Sequence, residues 1–220
     1  MPRTDVSETR VLGQNDQALD EAVRALQGGQ LVAFPTDTVY GVSCDIWQPE
    51  AVARLYWAKR RPRSMAIPVL LSSTEHVRRV ATDLPGCFEL VAARFWPGGL
   101  TLILPRHPDV PDILSAGKTT IAVRMPDHPL ALRLIEMMGG ALAVTSANLS
   151  GRPASKTARE ALDDLDGRVA ILLDGGGCPG GVASTIVDLA SDPPRLLREG
   201  AIVAADLQQV LPDLVVDEPS

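Results

Sequence analysis

Apolar residues recur along the chain at two spacings, one near 3.6 and one near 2, broken by glycine and proline. Leu19, Ala22, Val23 and Leu26 keep helical spacing within 16–27, and Gly28-Gly29 closes that run. LVAFP at 31–35 predicts a buried strand stopped by Pro35, and VYGVS at 39–43 a second strand after a tight connection. Pro49 suits the first turn of a helix whose inner face is Val52, Leu55 and Tyr56. Further strands are predicted at 67–72, 101–105, 120–124, 141–145, 169–174, 184–189 and 195–199. Further helices are predicted over 86–95, from Pro129 to Met138, after a Thr157 cap to Leu165, and around 203–211.

Strands alternate with helices, and several strands are apolar on both faces, which implies an α/β layered sheet covered by helices. The short returns between neighbouring strands favour a mixed sheet over an all-parallel one. No low-complexity linker divides the chain. The expected organisation is a flexible N-terminus over 1–14, a single domain over 15–211 and an acidic C-terminal tail over 212–220.

Composition agrees with a packed protein: 45% of the 220 residues are hydrophobic and 22% charged. No stretch approaches the about 20 apolar residues of a membrane span, and the polar N-terminus lacks the apolar centre of a signal peptide. Three widely spaced cysteines (Cys44, Cys87, Cys178) fit neither a disulfide scaffold nor a structural zinc site. A soluble, cytoplasmic protein is the expectation. The net charge of −6 argues against a general nucleic-acid binder. It hides an asymmetry, because residues 51–74 carry Arg54, Lys59, Arg60, Arg61 and Arg63 and no acid. Such a patch on an acidic protein suggests a small anionic ligand held at one place.

Several motifs fail on context. Gly117-Lys118-Thr119 resembles the end of a phosphate loop, but the pattern's first glycine would fall at Asp112 and no helix follows. Gly175 to Gly180 fits G-x-G-x-x-G after a strand, yet a strand follows it. It reads as a glycine loop, with a closing lid over 175–181 as the functional alternative. His76, His107 and His128 form no metal set, and His128 is placed to cap the helix that begins at Pro129. Ser146 lacks the glycine-flanked elbow of a hydrolase nucleophile.

Three polar segments remain. Residues 35–41, Pro-Thr-Asp-Thr-Val-Tyr-Gly, lie between two apolar strands, where hydroxyls either bind a polar substrate or cap a turn. Lys59-Arg60-Arg61-Pro62-Arg63 ends a helix, as a solvated basic face or as an anion collector. Residues 145–151, Thr-Ser-Ala-Asn-Leu-Ser-Gly, offer donors suited to phosphate or ribose, or an Asx-type turn. Joined in order with WPGGLTLIL at 96–104, the Arg124 segment AVRMPDHP, STIVD at 184–188 and LREG at 197–200, they make the chain resemble the YrdC-like L-threonylcarbamoyladenylate synthase family, in its short, single-domain form. The resemblance runs from about 16 to about 210.

That resemblance implies a twisted mixed α/β sheet with a positively lined concave cleft. It implies a nucleotidyltransferase that joins L-threonine, bicarbonate and ATP into L-threonylcarbamoyl-AMP and pyrophosphate. Separate threonylcarbamoyl transferase partners then carry the group to adenosine 37 of tRNA. Carried over position by position, Lys59 and Arg61 are the expected catalytic cations on carbamate and phosphate. Thr36, Arg124, Val144 and Ser184 are expected to hold threonine. Lys59, Arg61, Thr120, Ser146, Asn148 and Arg198 are expected to contact ATP, with Mg2+ arriving on its phosphates and no metal held by the protein alone. Met65, Ala66, Leu70 and Ala154 depart from the family pattern, with Ser155 adjacent as a substitute hydroxyl for the last. The alternatives are an RNA-binding module using the basic cleft, with a weak RNA contact, and a different carbamoyl-transfer enzyme. Low aromatic content, 4%, and the acidic balance weigh against the first. The second calls for extra domains.

Overall fold

Every segment predicted to be apolar on both faces is a strand of one open sheet. The computed structural model describes residues 8–179 and 182–216. Its strands are β1 (Arg10–Leu12), β2 (Val32–Phe34), β3 (Gly41–Cys44), β4 (Val69–Leu71), β5 (Leu100–Pro105), β6 (Thr120–Arg124), β7 (Ala141–Ser146), β8 (Ile171–Leu173), β9 (Thr185–Asp188), β10 (Arg195–Arg198) and β11 (Val215–Val216). The helices are α1 (Asp16–Gln27), α2 (Pro49–Ala58), α3 (Phe88–Phe95), α4 (Asp112–Ser115), α5 (Pro129–Met137), α6 (Ala158–Leu165) and α7 (Ala204–Gln208), with a 3-10 segment over Thr74–Arg79. Local chemistry sets several starts. The Asn15 side chain accepts from Ala18 N–H at the head of α1, Thr157 accepts from Glu160 N–H at the head of α6, and prolines open α2 and α5.

The strand order is β1-β8-β2-β3-β7-β4-β6-β5-β9-β10-β11. Parallel pairs (β1/β8, β2/β8, β4/β6, β5/β9, β10/β11) mix with antiparallel ones (β2/β3, β3/β7, β4/β7, β5/β6, β9/β10), so the mixed sheet is as expected. The expected boundaries need correction. Residues 10–12 are not a flexible leader but pair with β8, and residues 215–216 of the expected acidic tail pair with β10. Runs of three and two residues are too short to carry a period, and their partners lie far away in sequence.

The pleat divides the side chains. Val42, Ala143, Val69, Val123, Leu102, Val187 and Leu196 point to one face, where α2, α3, α6 and α7 cover them with Leu55, Phe88, Leu165 and Leu207. On the opposite face, α1 and α5 pack Leu19, Leu26, Leu134 and Ile135 over Phe34, Leu142, Ile171 and Leu173, and this cluster reaches Leu70 and Val144 in the middle of the sheet. Beyond Leu70 and Val144, toward β6, β5 and β9, no helix among the described residues belongs to the cluster on that face. The fold leaves its concavity there.

Candidate active site

A cavity of about 550 Å³ opens on the uncovered part of the second face. Its floor comes from strand positions whose alternate neighbours are core: Leu70 pairs with Arg124 across β4 and β6, and Val144 follows Ala143 on β7. Thr36, Leu70, Thr101, Arg124, Val144, Ser146, Ser184 and Arg198 all line it. Gly41 lets the walls approach, because a Cβ there would sit 2.7 Å from Val144 Cγ1.

Arg124 is the most constrained cation of the cavity. Its Nε donates to Gly98 O at 2.8 Å, Nη1 to Thr38 Oγ1 at 3.0 Å, and Nη2 to Asp37 Oδ2 at 2.6 Å. Burial pushes its pKa below the ordinary value against the pull of Asp37, and a guanidinium remains charged throughout. Three of five N–H groups are thus used to aim the fork. Thr36 is buried, and its hydroxyl donates to Val39 O at 2.7 Å while accepting from Val39 N–H at 3.3 Å. Ser184 Oγ lies 2.9 Å from Thr101 Oγ1, and Arg198 donates to Ser184 O at 2.7 Å. Gly200 permits this arrangement: a Cβ would stand 2.2 Å from Ala183 O.

Lys59 is 1% exposed and lies outside the cavity lining. Its ammonium donates to Ser146 O and Asn148 O, pinning the turn from below. Its pKa falls to about 7, first through burial and then through the nearby Arg61, against the attraction of Asp164. The Lys59 ammonium thus holds the turn that carries Ser146 and Asn148. The Asn148 amide donates to Leu149 O and Arg152 O at 2.9 and 2.7 Å, so this side chain also shapes the turn. Arg61 donates to Met65 O and Ala66 O and lines a second cavity, of about 480 Å³, with Tyr56, Trp57, Arg60, Arg63 and Arg168. Thr120 shares the face of Arg124 two pleats along β6, outside the lining. Of the ten expected residues, then, Thr36, Arg124, Val144, Ser146, Ser184 and Arg198 meet at one cavity, and Lys59, Arg61, Thr120 and Asn148 do not line it.

Other expectations change as well. His128 occupies the position before α5 but makes no side-chain cap bond, and its Nδ1 is buried and unpartnered. Ser155 cannot stand in for the missing hydroxyl at 154, because its Oγ donates to Ala147 O at 2.9 Å away from the cavity. Of the proposed lid, Gly180 and Gly181 lie outside the described residues. The described part is tied to Tyr40, whose hydroxyl donates to Gly176 O at 2.7 Å. Thr101, Thr38 and Lys156 line the cavity without having been expected to. A polar residue alternating with Leu100 and Leu102 was the available signal for Thr101.

The family model named for Sua5, YciO and YrdC, described as telomere recombination, matches residues 24–200. A threonylcarbamoyl-AMP synthase of Pyrococcus abyssi is 40% identical over 189 residues, covering 86% of this chain and 56% of that protein. The corresponding Bacillus subtilis protein is 41% identical, covering 97% of this chain and 62% of its own length. The chain thus spans less than two thirds of either relative. The crystal structure of P. abyssi Sua5 complexed with L-threonine superposes with a TM-score of 0.91 at 36% identity, covering 95% of this chain and 63% of that one.

Proposed function

The chain belongs to the Sua5/YciO/YrdC family, and from that premise we propose that it is an L-threonylcarbamoyl-AMP synthase using L-threonine, bicarbonate and ATP. One observation carries the reading: an aimed but incompletely used guanidinium, Arg124, shares a cavity with Thr36, Ser184, Ser146 and Arg198. A carboxylate and a polyphosphate are the ligands that such a set can satisfy together. The Sua5 structure with threonine, at 36% identity, supports threonine as the carboxylate.

In this reading Arg124 takes the threonine carboxylate with its remaining donors, beside the Thr36 hydroxyl, the Val144 backbone and Ser184. Ser146 and Arg198 hold the nucleotide, and Lys59 and Asn148 fix the Ser146 turn that receives it. Arg61 and Thr120 stand further out as expected nucleotide contacts. The threonine amine condenses with bicarbonate to a carbamate, releasing water. A carbamate oxygen then bonds to the α-phosphorus as the bond to the bridging oxygen breaks, and the electron pair leaves on pyrophosphate. Two anions must approach, so fixed cations in a partly buried cavity lower the barrier by offsetting their repulsion. No protein nucleophile is required.

Among the described residues no three His, Cys, Asp or Glu side chains group to hold a metal, and the cavity lining contains no carboxylate. Magnesium is therefore proposed as the counter-ion that the nucleotide brings, and no step is assigned to it. The product would pass to a separate threonylcarbamoyl transferase acting on adenosine 37 of tRNA in the cytoplasm. Pyrophosphate release by the purified protein tests the reading. It is expected only when ATP, threonine and bicarbonate are all present, and release that ignores omission of threonine or bicarbonate would overturn it.

A further inference from the structure

The wall of the cavity opposite Ser184 and Arg198 is built from Ser146, Pro153, Ala154 and Lys156. At this wall the chain lacks a hydroxyl at 154, and Ser155 is turned inward onto Ala147 O. Lys156 has an anchored backbone: its N–H donates to Glu160 Oε2 at 2.6 Å, and its carbonyl accepts from Cys178 N–H at 2.8 Å. Its ammonium, by contrast, has no hydrogen bond or ion pair among the described residues. The other cations of the lining already spend part of their donors on the protein, Arg124 on Asp37 and Arg198 on Ser184 O.

We propose that Lys156 forms a phosphate position at the mouth of the cavity that takes the β,γ-phosphates of the nucleotide and holds the departing pyrophosphate. The assignment rests on the synthase reading above. It follows from depth: Thr36 and Arg124 lie buried at the floor, whereas Lys156 and Arg198 are exposed at the rim. An α-phosphate attacked by a carbamate held at the floor must point its leaving group outward, toward the rim cations. The bond from the α-phosphorus to the bridging oxygen breaks, the electron pair stays on pyrophosphate, and the added negative charge develops beside the lysine. A compact ammonium on a flexible stem suits an anion that moves as it leaves.

Calorimetric titration of the full chain with pyrophosphate, ATP, AMP and threonine separates the outcomes. Lys156→Ala is expected to weaken pyrophosphate and ATP about tenfold, the size of one charge-assisted hydrogen bond at a partly open site. AMP and threonine should stay within about twofold, and Lys156→Arg should recover most of the loss. Unchanged threonine binding shows that the variant has folded. Pyrophosphate affinity within twofold of the parent, an equal loss for AMP, or an arginine variant as weak as alanine would each overturn the assignment. A parent that makes product beside an indistinguishable Lys156→Ala variant removes the lysine alone. A parent that binds neither ATP nor pyrophosphate removes the synthase reading and the lysine with it.

Discussion

Arg124 can present free donors to a carboxylate only because Asp37, Thr38 and Gly98 O already hold the rest of its fork. Asp37→Asn keeps the shape and removes the charge. It is expected to weaken threonine binding about tenfold and to cost about 1–3 kcal/mol of stability, measured by calorimetry and by urea unfolding. Lys59 makes a second case, with a sign that can be worked out. Its folded pKa of about 7 lies below the ordinary 10.5. Between those values the unfolded chain holds a proton that the folded chain lacks, so stability rises with pH across that window. The cost of the buried charge is fully present below about pH 7 and gone above about 10.5. Relative to Lys59→Met, the parent should gain up to about 1.4 kcal/mol per pH unit within the window. A difference that stays flat in urea titrations from pH 7 to 10 would show that Lys59 is not the titrating group. Neither role was legible in the sequence. A run of four cations in five residues looks the same whether one of them points into solvent or under a turn, and Asp37 reads as a turn residue until its partner, 87 positions away, is seen.

At the scale of elements, periodicity was enough for most of the fold. The alternation in TLILP and TIAVR placed Thr101, Thr120 and Arg124 on one face and Leu102, Ile121 and Val123 on the other, as the register of β5 against β6 requires. What periodicity could not supply is how closely two elements approach. Gly200, after β10, lies against the carbonyls of Ala183 and Ser184, and its N–H donates to Thr185 Oγ1 at 2.9 Å. Gly200→Ala would drive a methyl into Ala183 O. It should destabilise the protein by about 1–3 kcal/mol and, by shifting Ser184 and Arg198, weaken both threonine and ATP. Binding at parental strength in that variant would show that the 183–184 loop does not position the site. The short strands β1 and β11 escaped detection for the opposite reason, since they are held by pairing with distant strands and have no pattern of their own.

At the scale of the molecule, one sheet is covered along most of one face and only in part on the other. The helices α1 and α5 protect Phe34, Leu142 and Ile171, reach Leu70, and stop before Arg124. Residues from 36 to 198 therefore converge on one exposed concavity, although no window of the sequence holds them together. The net charge of −6 concealed this, because the three basic residues of the cavity lining are spread across the chain. The motifs, read in order, were specific enough to indicate the family to which the chain belongs. They could not say which of their residues face the ligand and which support those that do. The most direct test of the account is mass spectrometry of the reaction with ¹³C-bicarbonate, ATP, magnesium and threonine. The account predicts threonylcarbamoyl-AMP one mass unit heavier than with unlabelled bicarbonate, lost in Arg124→Ala. No adenylate product, or one whose mass ignores the label, would contradict it.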